Sequence, residues 1–319
     1  MGEPNGNGGP EHAQPRVVVV VPCLDEELTI GKVVRDFRKA LPEAEIYVFD
    51  NASSDATAEI ARSAGARVVT SPLRGKGNVI RHMSDVIDAD VYVLVDGDDT
   101  YPADAAPALI ERFVRDDLDM LVATRLESFD DDSFRRFHHL GNHFLSWIIR
   151  VAYRTRCTDV LSGYRILSGD LVRIVRLRTR GFEVETELTL QALTKRLSFA
   201  EMPIAYRSRP EGSESKLSTW SDSILILRCM FLLFKDYKPM LFFGATAALF
   251  LFLSLVIGSA PIADYLEHQY VYHVPRAILA AALAILSLVS LTAGLILDTI
   301  AKLHQESIEI WRHYLRERG

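Results

Sequence analysis

Two apolar segments near the C-terminus constrain this chain most, because each is long enough to cross a lipid bilayer. Met240–Ala260 and Ala277–Leu297 contain no charged residue. At about 1.5 Å of rise per residue, a helix of either length covers roughly 30 Å, the thickness of the hydrocarbon layer. A pair of buried core helices in a soluble protein is the alternative explanation. Two such runs in succession favour a pair of membrane spans.

The distribution of basic residues predicts the orientation of these spans. The connecting segment Pro261–Pro275 contains no Lys or Arg, although Arg276 lies at its far edge. Basic residues precede the first span and follow the second: Arg228, Lys235, Lys238, Lys302, Arg312, Arg316 and Arg318. Because cytoplasmic flanks are enriched in Lys and Arg, both termini are expected in the cytoplasm. The chain is then a two-span protein of the cell membrane with a cytoplasmic tail at residues 298–319.

The remaining composition gives no support for nucleic acid as a partner and favours a reducing compartment. The 319 residues carry a formal net charge of −6. Cys23, Cys157 and Cys229 are odd in number and widely spaced, which fits neither a disulfide framework nor a zinc site. Residues 1–15 are rich in Gly, Asn and Pro and lack an apolar core, so they predict a disordered lead-in and not a signal peptide.

Strands and helices alternate through the first 115 residues. Apolar, β-branched runs predict strands at Val17–Val21, Ile46–Phe49, Val68–Thr70 and Val91–Val95. Helical patterns separate them, as in Ile30 to Leu41. This alternation predicts a parallel, doubly wound α/β sheet.

Acidic turns follow three of these strands. The turns are Asp25-Glu26, Asp50-Asn51 and Asp96-Gly97-Asp98. Because the carboxyl ends of parallel strands meet at one edge, these side chains should face one crevice, where open α/β sheets bind ligands. Carboxylates at a buried strand end repel one another unless a cation is present, and Mg²⁺ takes oxygen ligands that it shares with phosphates. Solvated acidic turns are the alternative.

A basic glycine turn, Arg74-Gly75-Lys76-Gly77-Asn78, precedes the third helical pattern. Arg74 and Lys76 could meet a phosphate, aided by the N-terminus of the helix that follows. The spacing of a Walker A loop is missing. A solvated basic turn is the alternative.

Amphipathic segments lie between the sheet and the spans. Arg135–Arg154 is basic at one end and apolar in its centre, which favours a helix in the membrane interface over an ordinary surface helix. Residues 216–239 predict a juxtamembrane amphipathic helix. In Gly181–Leu188 three acids alternate, and Glu183 and Glu187 share a face if a helix begins there.

Together these motifs resemble family 2 glycosyltransferases of the GT-A fold, in particular the polyprenyl-phosphate sugar synthases of the dolichol-phosphate mannose synthase group. The resemblance covers about residues 16–235, with the transferase domain at 16–215. The motifs are Val21–Glu26, Asp50–Asp55, Gly75–Asn78, Asp96-Gly97-Asp98, Ser162–Arg165 and Arg209–Leu217.

Four departures from the family pattern stand out. Leu24 and Asp25 replace the usual Tyr-Asn, and Thr100 stands where a metal-binding Gln is common. The late loop that ends at Leu217 is one residue longer than its commonest form. The Gln-x-x-Arg-Trp signature of processive synthases is absent from the sequence, which argues against polymerisation.

The resemblance implies transfer of a sugar, with inversion, from a UDP- or GDP-linked donor to a polyprenyl phosphate, with Mg²⁺ or Mn²⁺ as cofactor. The implied metal ligands are Asp96, Asp98 and Thr100. The implied nucleotide-binding residues are Pro22, Leu24, Glu26, Asp50, Asn51, Lys76, Asp96 and Gly97. The implied residues for the acceptor phosphate are Arg125, Arg135, Arg136, Ser162 and Arg165, and those for the diphosphate are Arg209, Ser215 and Lys216. The implied catalytic residues are Asp98, Arg125, Arg165, Glu187 and Lys216.

Other functions stay open at this level. The acceptor could be a protein or a glycan. The chain could also be a non-catalytic nucleotide-sugar-binding module of the membrane, or a two-span helper of a flippase. The sequence leaves open whether the chain forms a homo-oligomer.

Overall fold

The computed structural model describes residues 15–125, 146–147, 149–151, 153–179, 181, 183–207, 209–210, 231, 235 and 238–316. The chain divides into two compact units. The first comprises residues 1–150, 155–192 and 197–218, and the second comprises 151–154, 193–196 and 219–319.

Among the described residues, seven strands of the first unit form one sheet. They are β1 (Val17–Cys23), β2 (Glu45–Asp50), β3 (Arg67–Thr70), β4 (Val91–Leu94), β5 (Met120–Arg125), β6 (Arg165–Ser168) and β7 (Phe199–Ile204). Their order is β3-β2-β1-β4-β6-β5-β7. Only β6 runs antiparallel to its neighbours β4 and β5. The predicted α/β sheet is confirmed, with the correction that it is mixed and not wholly parallel.

The helices of this unit connect the strands. They are α1 (Ile30–Ala40), α2 (Thr57–Ser63), α3 (Lys76–Val86), α4 (Ala106–Arg115), α5 (Gly169–Ile174) and α6 (Val184–Thr194), with a short 3₁₀ turn at Ala103–Ala105. Residues of β1 alternate between the two faces of the sheet. Val19 and Val21 pack in one core with Phe37 of α1, whereas Val18 and Val20 pack in the other with residues of α3 such as Met83. Burial on both faces explains why β1 is apolar at every position.

Two long helices dominate the second unit. They are α7 (Pro239–His268) and α8 (Val274–Arg316), and both are long and apolar enough to cross a membrane. The predicted spans lie inside them. Hydroxyl groups join the two helices, because Ser254 Oγ donates to Ala280 O and Ser287 Oγ donates to Ala247 O, both at 2.8 Å. A Cβ on Gly294 would lie 2.9 Å from Phe243 Cβ. Small residues therefore allow close approach, as is common between membrane helices.

Several predicted segments fall outside the described residues. These are the lead-in up to residue 14, most of the amphipathic segment 135–154 and nearly all of 216–237, with the site residues Arg135, Arg136, Ser215 and Lys216. The proposed boundaries of domains and amphipathic helices stay predictions.

Candidate active site at the carboxyl edge of the sheet

Three non-glycine residues adopt left-handed backbone conformations at the carboxyl edge of the sheet. They follow β1, β2 and β4, and their φ angles are 50° at Asp25, 64° at Ala52 and 56° at Asp99. Such conformations are costly away from glycine and concentrate at functional sites. Lys32 Nζ lies 2.7 Å from Asp99 Oδ1, in a partly exposed ion pair that involves neither Asp96 nor Asp98.

Asp96 shares a buried lysine with Glu185. Lys76, the first residue of α3, forms ion pairs with Asp96 Oδ1 and, at 2.5 Å, with Glu185 Oε1. The Lys76 side chain is 7% exposed and that of Glu185 is 5% exposed. Glu185 lies in the first turn of α6. The β4 turn, the glycine turn and α6 therefore meet at one point.

Burial and charge act in opposite directions on this cluster. Burial lowers the pKa of Lys76, but the carboxylates of Asp96 and Glu185 outweigh it and raise the pKa well above the ordinary lysine value. The pKa of Glu185 is raised, chiefly by burial. The Lys76 ammonium opposes this shift, and the Asp96 carboxylate adds to it. Lys76 is therefore a fixed positive charge at neutral pH.

Asp98 has its own cation and its own hydroxyl. Arg209 Nη2 donates to Asp98 Oδ2 at 2.6 Å, and Thr100 Oγ1 donates to Asp98 Oδ1 at 2.6 Å. Arg209 follows β7, so this contact ties the late segment of the unit to the turn after β4. The structure thus brings together four of the predicted nucleotide, metal and diphosphate residues, Asp96, Asp98, Lys76 and Arg209.

The oxygen atoms of this turn suit a hard divalent cation. Two carboxylates and the Thr100 hydroxyl are the ligand types that Mg²⁺ and Mn²⁺ prefer. Within the described ranges no three His, Cys, Asp or Glu side chains are grouped to hold a metal by themselves. The set fits an ion that completes its coordination with water and substrate phosphates, as Mg²⁺ usually does.

Glycines bring the neighbouring loops close to these carboxylates. A Cβ on Gly97 would lie 2.6 Å from Cys23 Sγ, and a Cβ on Gly163 would overlap Asp96 Oδ2. The Gly163 amide donates to Tyr101 Oη at 2.9 Å. Tyr101 is buried and packs edge-to-face on Tyr164 and Tyr206. The turn at Ser162–Tyr164 is therefore fixed against Asp96.

The second acidic turn supports the glycine turn. The Asn51 side chain donates to Leu73 O at 2.7 Å and accepts from the Gly75 amide at 2.6 Å. Asp50 is buried and accepts from the Ser53 amide at 3.2 Å. Asn51 therefore positions the loop that carries Lys76, in addition to its predicted place beside the nucleotide.

The first acidic turn lies at the same edge as the second. Pro22 pairs in register with Phe49, and Cys23 with Asp50, and Leu24 and Glu26 follow. The Glu26 amide donates to Thr57 Oγ1 at 2.7 Å.

Arg125 ends β5 and is paired with an acid that sequence reasoning did not assign to the site. Its guanidinium binds Asp159 through two hydrogen bonds of 2.8 Å and lies over the Tyr206 ring at 5.6 Å. Burial lowers the pKa of Arg125, and Asp159 more than compensates. Ser162 Oγ donates to Ala123 O of the same strand at 2.6 Å. The side chain of Arg125 is 30% exposed to solvent.

Arg165 and Glu187 lie in the interior of the unit and not at the exposed edge of the sheet. Arg165 is fully buried, and its guanidinium donates to Ser162 O, Val160 O and Thr189 Oγ1 at 2.7–2.9 Å. Glu187 is also fully buried and accepts from the Arg178 and Thr179 amides at 2.8–2.9 Å. These contacts hold loops in place. The catalytic role implied for both residues, and the acceptor-phosphate role implied for Arg165, therefore stay predictions that this geometry does not favour.

Sequence reasoning missed Glu185 as a site residue. The alternating acids drew attention to the face shared by Glu183 and Glu187, whereas the residue between them contacts Lys76. The sequence shows Glu185 only as one of three alternating acids. The packing of α6 against the glycine turn is what distinguishes it from the other two.

Comparison with known proteins agrees with this geometry. A model of the family described as Glycosyl transferase family 2 matches residues 18–173. That range contains the acidic turns, the glycine turn and the turn at Ser162–Tyr164. The chain belongs to glycosyltransferase family 2.

Three relatives are similar to this chain over most of their own length. Protein RfbJ of Shigella flexneri is 48% identical over 122 residues, which cover 38% of this chain and 95% of that protein. Glycosyltransferase AglJ of Haloferax volcanii is 27% identical over 298 residues, which cover 92% of this chain and 96% of that protein. A dolichyl-phosphate hexose transferase of Haloferax volcanii is 28% identical over 211 residues, which cover 66% of this chain and 90% of that protein.

A solved structure shares the fold of this family 2 chain. It is the glucosyl-3-phosphoglycerate synthase of Mycobacterium tuberculosis, in complex with Mn²⁺, uridine diphosphate and glucosyl-3-phosphoglycerate. The TM-score is 0.58 at 20% identity, over 69% of this chain and 80% of that chain. The mixed sheet is therefore of the GT-A type, and the predicted fold class is confirmed.

Proposed function

We propose that this glycosyltransferase moves a sugar from a nucleotide diphosphate sugar to a polyprenyl phosphate in the membrane, with inversion. The observation that carries the proposal is the joining, in one chain, of a family 2 sheet edge bearing Asp96, Asp98 and Lys76 with two helices of membrane-spanning length. The similarity to a dolichyl-phosphate hexose transferase supports a lipid acceptor. The structural neighbour that holds Mn²⁺ and uridine diphosphate supports a metal-dependent reaction with a UDP-linked donor.

The residues of the edge suit departure of a nucleoside diphosphate. Mg²⁺ or Mn²⁺, held by Asp96 and Asp98 with Thr100 nearby, would neutralise the charge that develops on the leaving diphosphate. Lys76 and Arg209 supply two further positive charges, and the N-terminus of α3 at Lys76 favours anions. Ser215 and Lys216 are the further diphosphate residues that we propose.

The acceptor phosphate needs positively charged side chains to bind it more than it needs a general base. A polyprenyl phosphate is already an anion, so no strong general base is required for its attack. Among the described cations, Arg125 is the best placed, because its planar guanidinium suits a phosphate and Ser162 lies beside β5. Arg135 and Arg136 are the further candidates. We propose that Arg165 does not contact the acceptor itself but holds the turn at Ser162, to whose carbonyl oxygen it donates.

Membrane attachment brings the lipid acceptor within reach of the enzyme. We propose that α7 and α8 anchor the chain in the cell membrane, with the transferase unit and both termini on the cytoplasmic side. Anchoring replaces a search through solution by an encounter in one plane, which favours reaction.

The test is incubation of the purified full chain with Mn²⁺, undecaprenyl phosphate and a panel of radiolabelled UDP- and GDP-sugars, followed by counting of label in the organic phase. We expect label from one donor, loss of that label with chelator, and at least about a hundredfold loss in Asp98→Asn. The matched control is Asp99→Asn, because asparagine tolerates the left-handed backbone of this neighbouring residue. Label that stays with protein or glycan would overturn the lipid acceptor. Nucleotide binding without transfer to any acceptor would favour a non-catalytic binding module.

A further inference from the structure

A half-buried lysine lies where α7 begins beside α8. Lys238 immediately precedes Pro239, the first residue of α7. A Cβ on Gly294 of α8 would lie 3.7 Å from Pro239 O, so the two helices are close together at this end. The uncharged segment of α7 starts at Met240, and that of α8 stops at Leu297. With both helices across the bilayer, as proposed above, Lys238 lies at the depth of the lipid headgroups.

Tyr153 fixes the position of this lysine. The Lys238 ammonium lies 4.5 Å from the centre of the Tyr153 ring, which is within the range of a cation–π contact. The Tyr153 hydroxyl is in turn joined by a hydrogen bond of 2.8 Å to the hydroxyl of Thr194, the last residue of α6. All three residues belong to the second compact unit. The ammonium is therefore held over an aromatic surface that is itself anchored.

The charges around Lys238 do not balance. Its pKa is lowered, chiefly by burial; Asp298 of α8 opposes this shift, and the Arg196 guanidinium adds to it. The Asp298 carboxylate is already paired with Lys302 Nζ at 2.7 Å. Lys238 makes no ion pair with any residue in the part of the chain that the structure describes. An added anion would therefore stabilise the charged form of Lys238.

Lys302 is the contrasting case of an ordinary basic residue beside a membrane helix. Its side chain is 70% exposed, and its ammonium pairs with Asp298 one turn earlier in α8. A solvated cation of this kind attracts anionic lipids only through the general potential of the membrane surface. Lys238 differs because it is half-buried, held over a ring and close to a second cation, Arg196. Such an arrangement suits one anion at one place.

We propose that Lys238 and Arg196 form a binding site for the phosphate of an anionic phospholipid, with the Tyr153 ring holding Lys238 in place. A phospholipid phosphate is the anion that is present at headgroup depth, and basic pockets at the cytoplasmic ends of membrane helices bind such headgroups. The proposal depends on the membrane position of α7 and α8, but not on the sugar donor or the acceptor. It predicts that the chain retains an anionic phospholipid in preference to a neutral one.

The experiment titrates phosphatidylglycerol or phosphatidylcholine into the purified full chain in detergent and counts bound lipids by native mass spectrometry. With the same acyl chains, the two lipids share the phosphate, but only phosphatidylglycerol carries a net negative charge. We expect one molecule of phosphatidylglycerol to bind about tenfold or more tightly than phosphatidylcholine, because each basic residue near the headgroup favours the anionic lipid.

Charge-removing variants separate a defined site from a general attraction. Lys238→Met should weaken binding of phosphatidylglycerol about fivefold or more and leave that of phosphatidylcholine unchanged. Arg196→Asn should act in the same direction, and asparagine tolerates the left-handed φ of 53° at this position. Lys302→Met is the matched control, because it removes a lysine at the same end of the helix pair. It should change the affinity about twofold or less.

The ring is tested separately from the charges. Tyr153→Leu should weaken binding of phosphatidylglycerol about threefold, since Lys238 loses the surface that positions it. Tyr153→Phe keeps the ring and should have a smaller effect. Every variant should bind UDP as the wild type does, which checks that the transferase unit is folded.

Equal affinities for the two phospholipids would overturn the proposal. Equal losses in Lys238→Met and Lys302→Met would do the same, because the effect would then belong to basic flanks in general. Undecaprenyl phosphate also carries a phosphate and is titrated in the same way. If Lys238→Met weakened its binding and left that of phosphatidylglycerol unchanged, the site would belong to the acceptor and not to a phospholipid. Selective binding of phosphatidylglycerol without sugar transfer to lipid would support the site and contradict only the proposed function.

Discussion

Gly163 shows how one missing methyl group shapes the site. The turn at Ser162–Tyr164 passes so close to Asp96 that a Cβ at this glycine would overlap Oδ2. Tyr101 fixes the turn from the other side by accepting the Gly163 amide proton. The side chain of Asp96 is therefore confined between this turn and Lys76.

Gly163→Ala should lower transferase activity by about tenfold or more, because Asp96 must move while the backbone conformation of the glycine is open to alanine. Secondary structure by circular dichroism should be retained. The measurement is organic-phase label at saturating donor, together with Mn²⁺ affinity. An alanine variant with unchanged Mn²⁺ affinity and unchanged activity would contradict the confinement of Asp96.

Glu187 offers a test between a structural and a catalytic role. Its carboxylate accepts from two backbone amides and from Thr179 Oγ1 while fully buried. Glu187→Gln presents an NH₂ group to these donors and should cost about 1–3 kcal/mol of unfolding free energy. Urea unfolding and kinetics measured on the same sample decide the matter. A large loss of kcat with unchanged stability would favour the catalytic role that the family resemblance implied.

At the level of elements, the sequence is informative where a strand or turn carries its own chemical pattern. The strands β1 to β4 and the acidic turns that follow three of them are local features, so their succession along the chain and the common edge of the turns can be predicted. The antiparallel β6 cannot, because Arg165–Ser168 has no pattern that sets strand direction. Its pairing with Val91–Leu94 depends on residues distant in sequence.

The same distinction separates Asp96 and Asp98 from Glu185 and Asp159. The first two lie in one short motif at a strand end. Glu185 comes to Lys76, and Asp159 to Arg125, only through packing of segments far apart in the chain. Burial is equally hard to predict, since an arginine such as Arg165 in a recognisable motif gives no sign that its guanidinium faces inward.

The contact between α7 and α8 depends on small residues, and two glycines allow a matched test. Gly294→Leu should weaken the helix pair, because its Cβ would already meet Phe243 at 2.9 Å, whereas Gly244 has nothing within 4 Å. We expect Gly294→Leu to lower the thermal unfolding midpoint of the full chain in detergent by several degrees. Gly244→Leu should leave it nearly unchanged. Equal effects of the two substitutions would contradict the packing described.

For the whole molecule, the testable property is orientation in the membrane. Tyr270 lies in the short connection between the two helices, and Lys302 lies in α8 beyond the predicted span, which ends at Leu297. In a Cys229→Ser background, where Cys23 and Cys157 are buried, Tyr270→Cys should react with an impermeant maleimide on intact cells. Lys302→Cys should react only after lysis, because basic flanks stay in the cytoplasm. The opposite labelling pattern would reverse the proposed orientation.

The order of elements along the chain has a consequence for synthesis. The last strand of the sheet, β7, ends at Ile204, and the first membrane-length helix begins only at Pro239. The sheet pairs Val91 of β4 with Ser168 of β6 and so gains the interior strand β6 late, and such non-local pairing folds slowly. Translation at about 5–20 residues per second completes all seven described strands before α7 is made. The nascent transferase unit can therefore begin to fold before the first hydrophobic helix is synthesised and inserted into the membrane.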